Sequence, residues 1–125
     1  MTIIGLDHVQ VAAPPGCEPA ARAFYGGLLG LPEMPKPDGV SAAGGAWFRC
    51  GGQELHVGVV PRRSFVPAVK AHPGLLVETR AALDALAERI AETGHAVRWD
   101  ERLPGVHRCY VDDPWGNRIE LRALG

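Results

Sequence analysis

Apolar and polar residues alternate along this chain with two periods, and the periods change in the same order twice. Residues 3–12 (IIGLDHVQVA) alternate as a strand does, with Ile3, Val9 and Val11 on one face and Leu6, His8 and Gln10 on the other. A Pro/Gly-rich loop follows, and Glu18-Pro19 opens a helix because a proline in the first turn forfeits no hydrogen bond. Phe24 and Leu28 give that helix its core face, and Gly30 ends it. Residues 32–45 read as a short strand and a mobile loop. Residues 46–50 and 53–60, split by Gly51-Gly52, read as an antiparallel hairpin. The stretch from about 61 to 70 breaks the pattern and reads as a linker. A second cycle then runs through a strand at 71–77, an N-cap at Thr79, and a helix over 80–93 carrying Leu83, Leu86, Ala87, Ile90 and Ala91. Strands at 97–100, 108–112 and 118–123 complete it, the last two joined by the turn Asp113-Pro114-Trp115-Gly116-Asn117. Each half is strand, helix, then three strands. The pattern predicts one α+β domain of two βαβββ modules, the first at about 1–60 and the second at about 71–125.

The halves are related by one interval. A shift of 64 carries His8 onto His72, His56 onto Glu120, Gly30 onto Gly94 and Gly52 onto Gly116, while Leu55, Val57 and Val59 fall on Ile119, Leu121 and Ala123. The helix positions Phe24 and Leu28 miss Leu86 and Ile90 by two residues, a slip the preceding loops can absorb. A duplicated module supplying two donors from each copy is the economical explanation, since a divalent ion needs convergent nitrogen and oxygen ligands. Strand parity supports it. Leu55, Val57 and Val59, like Ile119 and Leu121, form an apolar face for a helix, leaving Glu54 and His56, or Arg118, Glu120 and Arg122, on the opposite face.

His8, His56, His72 and Glu120 are therefore the candidate metal ligands. Glu54 shares a face with His56 and is a rival for that position. Imidazole and carboxylate donors suit Zn, Ni, Fe, Mn or Co. His95 and His107 have no repeat partner and are expected at the surface. Arg118 and Arg122 share parity with Glu120 and are candidates for binding an anionic substrate, with Trp47 as a pocket wall.

Composition narrows the classes. A chain of 125 residues can bury a core without a structural metal, so an ion here would be functional. Thirteen basic and fourteen acidic residues, interspersed, give a net charge of −1 and no basic stripe for nucleic acid. No apolar run reaches membrane-spanning length and no signal-peptide pattern opens the sequence, so a cytoplasmic protein is expected. Cys17, Cys50 and Cys109 form no CxxC pair and are read as reduced thiols, with a catalytic role the lesser reading.

The stretches LDHVQV (6–11), FYGGLLGLPE (24–33), GGQELHVGV (51–59) and DDPWGNRIEL (112–121) resemble the vicinal oxygen chelate superfamily, which includes glyoxalase I, fosfomycin-resistance proteins, methylmalonyl-CoA epimerase, extradiol dioxygenases and bleomycin-binding proteins. The last stretch is the most specific, because it joins a Gly/Asn turn to a ligand glutamate. The resemblance implies paired βαβββ modules forming a cupped, largely antiparallel eight-stranded sheet arrangement with helices outside, and it puts His8, His56, His72 and Glu120 at the family's ligand positions. It also implies a homodimer. Glyoxalase I proteins usually carry Glu at the second ligand position and an Arg for glutathione shortly after the first, where this chain has His56 and Ala12.

The expected function is a metal-dependent enzyme that binds a small oxygen-rich substrate and stabilises an enolate or oxyanion, with isomerase, lyase or ring-opening chemistry all compatible. Glu120, or Glu54 if it is not a ligand, would move the proton. The alternative is a metal-free protein of the same fold that sequesters an antibiotic or metabolite.

Overall fold

The computed structural model describes residues 2–125. It divides into two compact units, the first ending at Pro67 and the second running Ala68–Gly125. Each carries a four-stranded sheet with helical segments against one face.

In the first unit, β1 (His8–Ala13), β2 (Glu33–Met34), β3 (Ala46–Cys50) and β4 (Gln53–Val59) are ordered β1-β4-β3-β2. β1 and β4 are parallel, and the other two pairings are antiparallel. The strand predicted over 3–12 starts only at His8, and Ile3, Ile4 and Leu6 ahead of it are exposed rather than packed. Pairing sets that limit: β4 offers β1 partners only from Glu54 to Val59, opposite His8 to Ala13.

Helix α1 (Glu18–Ala21) continues as a π-type turn over Arg22–Leu28, with Leu29 N–H bonding back to the Phe24 carbonyl at 2.9 Å. The wider turn advances the buried face. Phe24 and the fully buried Tyr25 carry it, whereas Leu28 is only half-buried. Tyr25 reaches Phe48 at 5.8 Å between ring centroids, over an apolar sheet face of Val11, Ala13, Ala46, Leu55 and Val57. The loop before β3 contains the short helix α2 (Asp38–Ser41) and is tied down by Glu18, whose Oε2 accepts the Gly45 N–H at 2.6 Å. Gly45 has φ +86°, and a Cβ there would collide with the Val57 carbonyl, so only glycine lets the chain pass this close to β4.

In the second unit, β5 (Gly74–Val77), β6 (Arg98–Asp100), β7 (Arg108–Asp112) and β8 (Arg118–Ala123) are ordered β5-β8-β7-β6, again with one parallel pairing. The shift of 64 seen in sequence holds in the ladders: Gln10↔His56 corresponds to Gly74↔Glu120, and Val11↔Val57 to Leu75↔Leu121. Helix α3 (Arg80–Glu92) is capped by Thr79 Oγ1, which accepts the Ala82 N–H at 3.0 Å. Its buried Leu83, Leu86, Ala87 and Ile90 belong to the same core as Cys109, Val111, Ile119, Leu121 and Ala123. Each unit thus leaves one sheet face polar. Among the described residues, no helix is long and apolar enough to cross a membrane.

Candidate functional site

The polar face of the first sheet gathers three rings in a stack. Trp47 and His56 are cross-strand partners, with ring centroids 3.8 Å apart and planes 2° from parallel, and His8 lies on the other side of His56 at 4.3 Å and 16°. His56 is buried, and its Nε2 lies 2.9 Å from Glu54 Oε1. His8 is exposed and directs Nδ1 to Asp7 Oδ2 at 2.9 Å. The two sequence-predicted donors of this unit are therefore brought together, with Glu54 beside them. Stacked imidazoles hold their in-plane lone pairs side by side rather than converging, so sharing one ion requires a ring to turn.

The second unit joins its predicted pair directly. His72 lies two residues before β5, in the lead-in ended by Pro73, and its Nε2 is 3.0 Å from Glu120 Oε1. Its Nδ1 lies 2.8 Å from the Lys70 carbonyl, an acceptor that can only take a proton. The imidazole therefore donates from Nδ1 and faces a carboxylate oxygen with Nε2. His8 likewise places Nδ1 against an oxygen acceptor, Asp7 Oδ2. Ligating histidines are typically oriented by an oxygen acceptor on the second ring nitrogen. The donor chemistry fits a divalent ion. Among the described residues, no group of three or more His, Cys, Asp or Glu side chains is gathered to hold one.

A charged chain backs the His72 pair. Arg108 reaches Glu120 Oε2 at 3.5 Å and Asp100 Oδ2 at 3.3 Å, and Arg122 stands 4.0 Å from Glu120 Oε2. Asp100 also binds Arg102, whose side-chain and backbone hydrogen bonds hold the carboxyl well below the usual carboxylate range, with the Arg108 charge adding to the effect. Sequence reasoning missed Asp100 and Tyr110. Tyr110 is the cross-strand partner of Glu120, and its signal was its parity with Arg108 and Asp112 against the apolar Cys109 and Val111.

The remaining candidates fall in varied places. Arg118 lies over the Tyr110 ring, 5.0 Å from its centroid. His107 is half-buried rather than solvated, with Nε2 2.7 Å from Asp84 Oδ1 and its ring stacked on Trp99, and His95 is half-buried too. Both follow from their placement after α3 and at the edge of β7, where neighbouring side chains cover them. Burial raises the thiol of Cys17, that of Cys50, and that of Cys109 to about 11, where Asp84 also contributes. That is the opposite of what a nucleophilic cysteine needs.

Residues 5–121 match the profile of the Glyoxalase/Bleomycin resistance protein/Dioxygenase superfamily. The chain belongs to that superfamily. Its fold is shared by a protein of the glyoxalase family from Bacillus anthracis, 47% identical with a TM-score of 0.90, covering 98% of this chain and 97% of the other. Lactoylglutathione lyase from Agrobacterium tumefaciens is similar at 23% identity and TM-score 0.75, covering 98% and 96%. A genomically encoded fosfomycin resistance protein from Listeria monocytogenes is similar at 18% identity and TM-score 0.77, covering 98% and 95%. At those two identities the likeness extends to the fold alone. No curated protein sequence matches the chain. The superfamily includes lyases and other enzymes, and its members commonly use a divalent metal.

Proposed function

We propose that this chain is a metal-dependent enzyme of the glyoxalase superfamily, acting on a small oxygen-rich substrate by isomerase, lyase or ring-opening chemistry, with His8, His56, His72 and Glu120 as the ligands of one divalent ion. The observation that carries the reading is the His72–Glu120 pair, with Nε2 3.0 Å from Glu120 Oε1 and Nδ1 2.8 Å from the Lys70 carbonyl. When bound, the ion supplies Lewis-acid stabilisation of a developing oxyanion. The names of two relatives, a lactoylglutathione lyase and a fosfomycin resistance protein, are compatible with such chemistry.

Glu54 is the better proton carrier of the two candidate carboxylates. Glu120 is fixed by His72 on one oxygen and by Arg108 and Arg122 on the other, and its side chain is 9% exposed. Glu54 is 27% exposed and hydrogen-bonded to His56, so it can accept a substrate proton with His56 as its support. Trp47, packed flat on His56, walls the site.

Partner and location belong to the same proposal. Ile3, Ile4 and Leu6 are 81%, 91% and 75% exposed, an apolar surface that a second copy would cover in a homodimer. Three free thiols suit the cytoplasm.

One observation favours the alternative of a metal-free binder: the Trp47-His56-His8 stack presents a ready aromatic wall for a planar ligand. Cobalt(II) titration of chelator-treated protein separates the two. The enzyme reading expects visible absorption bands that saturate at one ion per site and vanish in His72→Ala. Tight binding of a planar drug with no cobalt bands would establish the binder instead.

A further inference from the structure

Five arginines lie on or beside the polar face of the second sheet, and four are matched to carboxylates. Arg98 pairs with Asp112 at 2.9 Å, Arg102 with Asp100, Arg108 with Asp100 and Glu120, and Arg122 stands near Glu120. Arg118 is the exception. Its cross-strand neighbour is Asp112, yet both oxygens of that carboxylate engage Arg98. Arg118 Nε is buried with no hydrogen-bond partner among the described residues, and the guanidinium rests over the same Tyr110 ring that Arg108 approaches at 5.5 Å. With Arg108 matched to carboxylates, the charge of Arg118 is the one left uncancelled where water is partly excluded, and a half-buried guanidinium calls for an anion.

The space for one is present. A cavity of about 350 Å³ is bounded by Arg118, Tyr110, Arg102, Arg98 and Trp99, at the small end of the range for ligand sites. Two acids also border it. Asp100 is neutralised by Arg102 and Arg108, and Glu101 is exposed. Arg118 is two residues from Glu120 on the same strand face.

We propose that Arg118, backed by Tyr110, receives a small oxyanion of the substrate, a carboxylate or a phosphate-type group, in this cavity. A planar fork over an aromatic ring suits either group, because two N–H donors can meet two oxygens at once. The inference rests on the enzyme reading only in calling the ligand a substrate, since anion binding itself needs no metal.

The test uses the full chain stripped with a chelator and titrated at constant ionic strength with inorganic phosphate and, separately, acetate, with chloride as the reference. Calorimetry is expected to give one-site saturation by at least one oxyanion, weakened about tenfold or more in Arg118→Gln and unchanged in Arg89→Gln, which removes a positive charge from α3. Saturation by acetate alone identifies a carboxylate, and by phosphate alone a tetrahedral group. In the unsubstituted protein, the Arg118 side-chain Nε–H resonance is expected to move during the titration, a readout that survives if the variant does not fold. Saturation by neither oxyanion, or an Arg118 resonance that stays in place while the anion binds, would overturn the proposal. A protein that binds the anion but never a metal would overturn the metal reading alone.

Discussion

Nε2 of His72 stands 3.0 Å from Glu120 Oε1 while Nδ1 of the same ring lies 2.8 Å from the Lys70 carbonyl. The backbone thereby decides which nitrogen faces the carboxylate. In Glu120→Gln the amide N–H can donate to that nitrogen, so the fold is expected to persist at near wild-type melting temperature. The response to ions is what changes. Zinc at a hundred times its dissociation constant should stabilise the wild type by about 2.7 kcal/mol, and a thermal-shift measurement should find little of that in the variant. Equal stabilisation of both proteins would remove Glu120 from the ligand set.

Trp47 reports on the other pair. With its indole 3.8 Å from the His56 ring and nearly parallel to it, any turn of the imidazole toward an ion changes the environment of the indole. Emission should therefore change on zinc addition in the wild type and in Trp99→Phe, but not in Trp47→Phe. A response that survives the loss of Trp47 would mean that the signal arises away from the His56 stack.

The turn between β7 and β8 is held by a buried pair. Asp113 accepts the Trp115 N–H, the Asn117 N–H and the Asn117 side-chain amide, while Asn117 Oδ1 accepts the Ala68 N–H. Asn117→Ala leaves a buried carboxylate one donor short and a backbone N–H unpaired, a loss of about 2 kcal/mol. Urea unfolding should register it, and because β8 begins at the next residue, metal affinity should fall in the same variant. A change below about 0.5 kcal/mol, the usual size for an uninvolved surface site, would mean that the clasp is idle.

Acid should act through Asp100. Its carboxyl is held low in the folded protein, first by the Arg102 hydrogen bonds and then by the charges of Arg102 and Arg108. A carboxyl depressed on folding contributes stability above its unfolded value, near pH 4, and that contribution is lost as the pH falls toward the folded value. Asp100→Asn is thus expected to be less stable than wild type at pH 7, with the gap closing below about pH 4. Urea titrations from pH 7 to pH 2 check it. A gap that stays constant would assign the effect to packing.

Much of the fold is legible in the amino-acid sequence. The interval of 64 that links His56 to Glu120 is also the interval relating the Gln10↔His56 and Gly74↔Glu120 register pairs, because an inherited ladder preserves parity even when helices slip. The helix core was half read. Leu28 was expected inside and Tyr25 was not, since a π-type turn after Ala21 changes the phase and periodicity alone carries no mark of it. Residues 3–7 have strand-like alternation but no partner strand within the described chain, so hydrophobicity there marked an exposed surface instead. Within the site, the pairing of His72 with Glu120 followed from the repeat, whereas the Lys70 carbonyl that orients His72 did not. Backbone acceptors leave no trace in residue identity.

Elemental analysis tests the proposed ligand set of His8, His56, His72 and Glu120 most directly. Protein purified without added metal, alongside His8→Ala and Glu120→Gln prepared in the same way, should contain close to one equivalent of a single divalent transition metal per site in the wild type and far less in either variant. Wild-type protein that stays metal-free and takes up no ion from solution, or variants that retain the full equivalent, would contradict it.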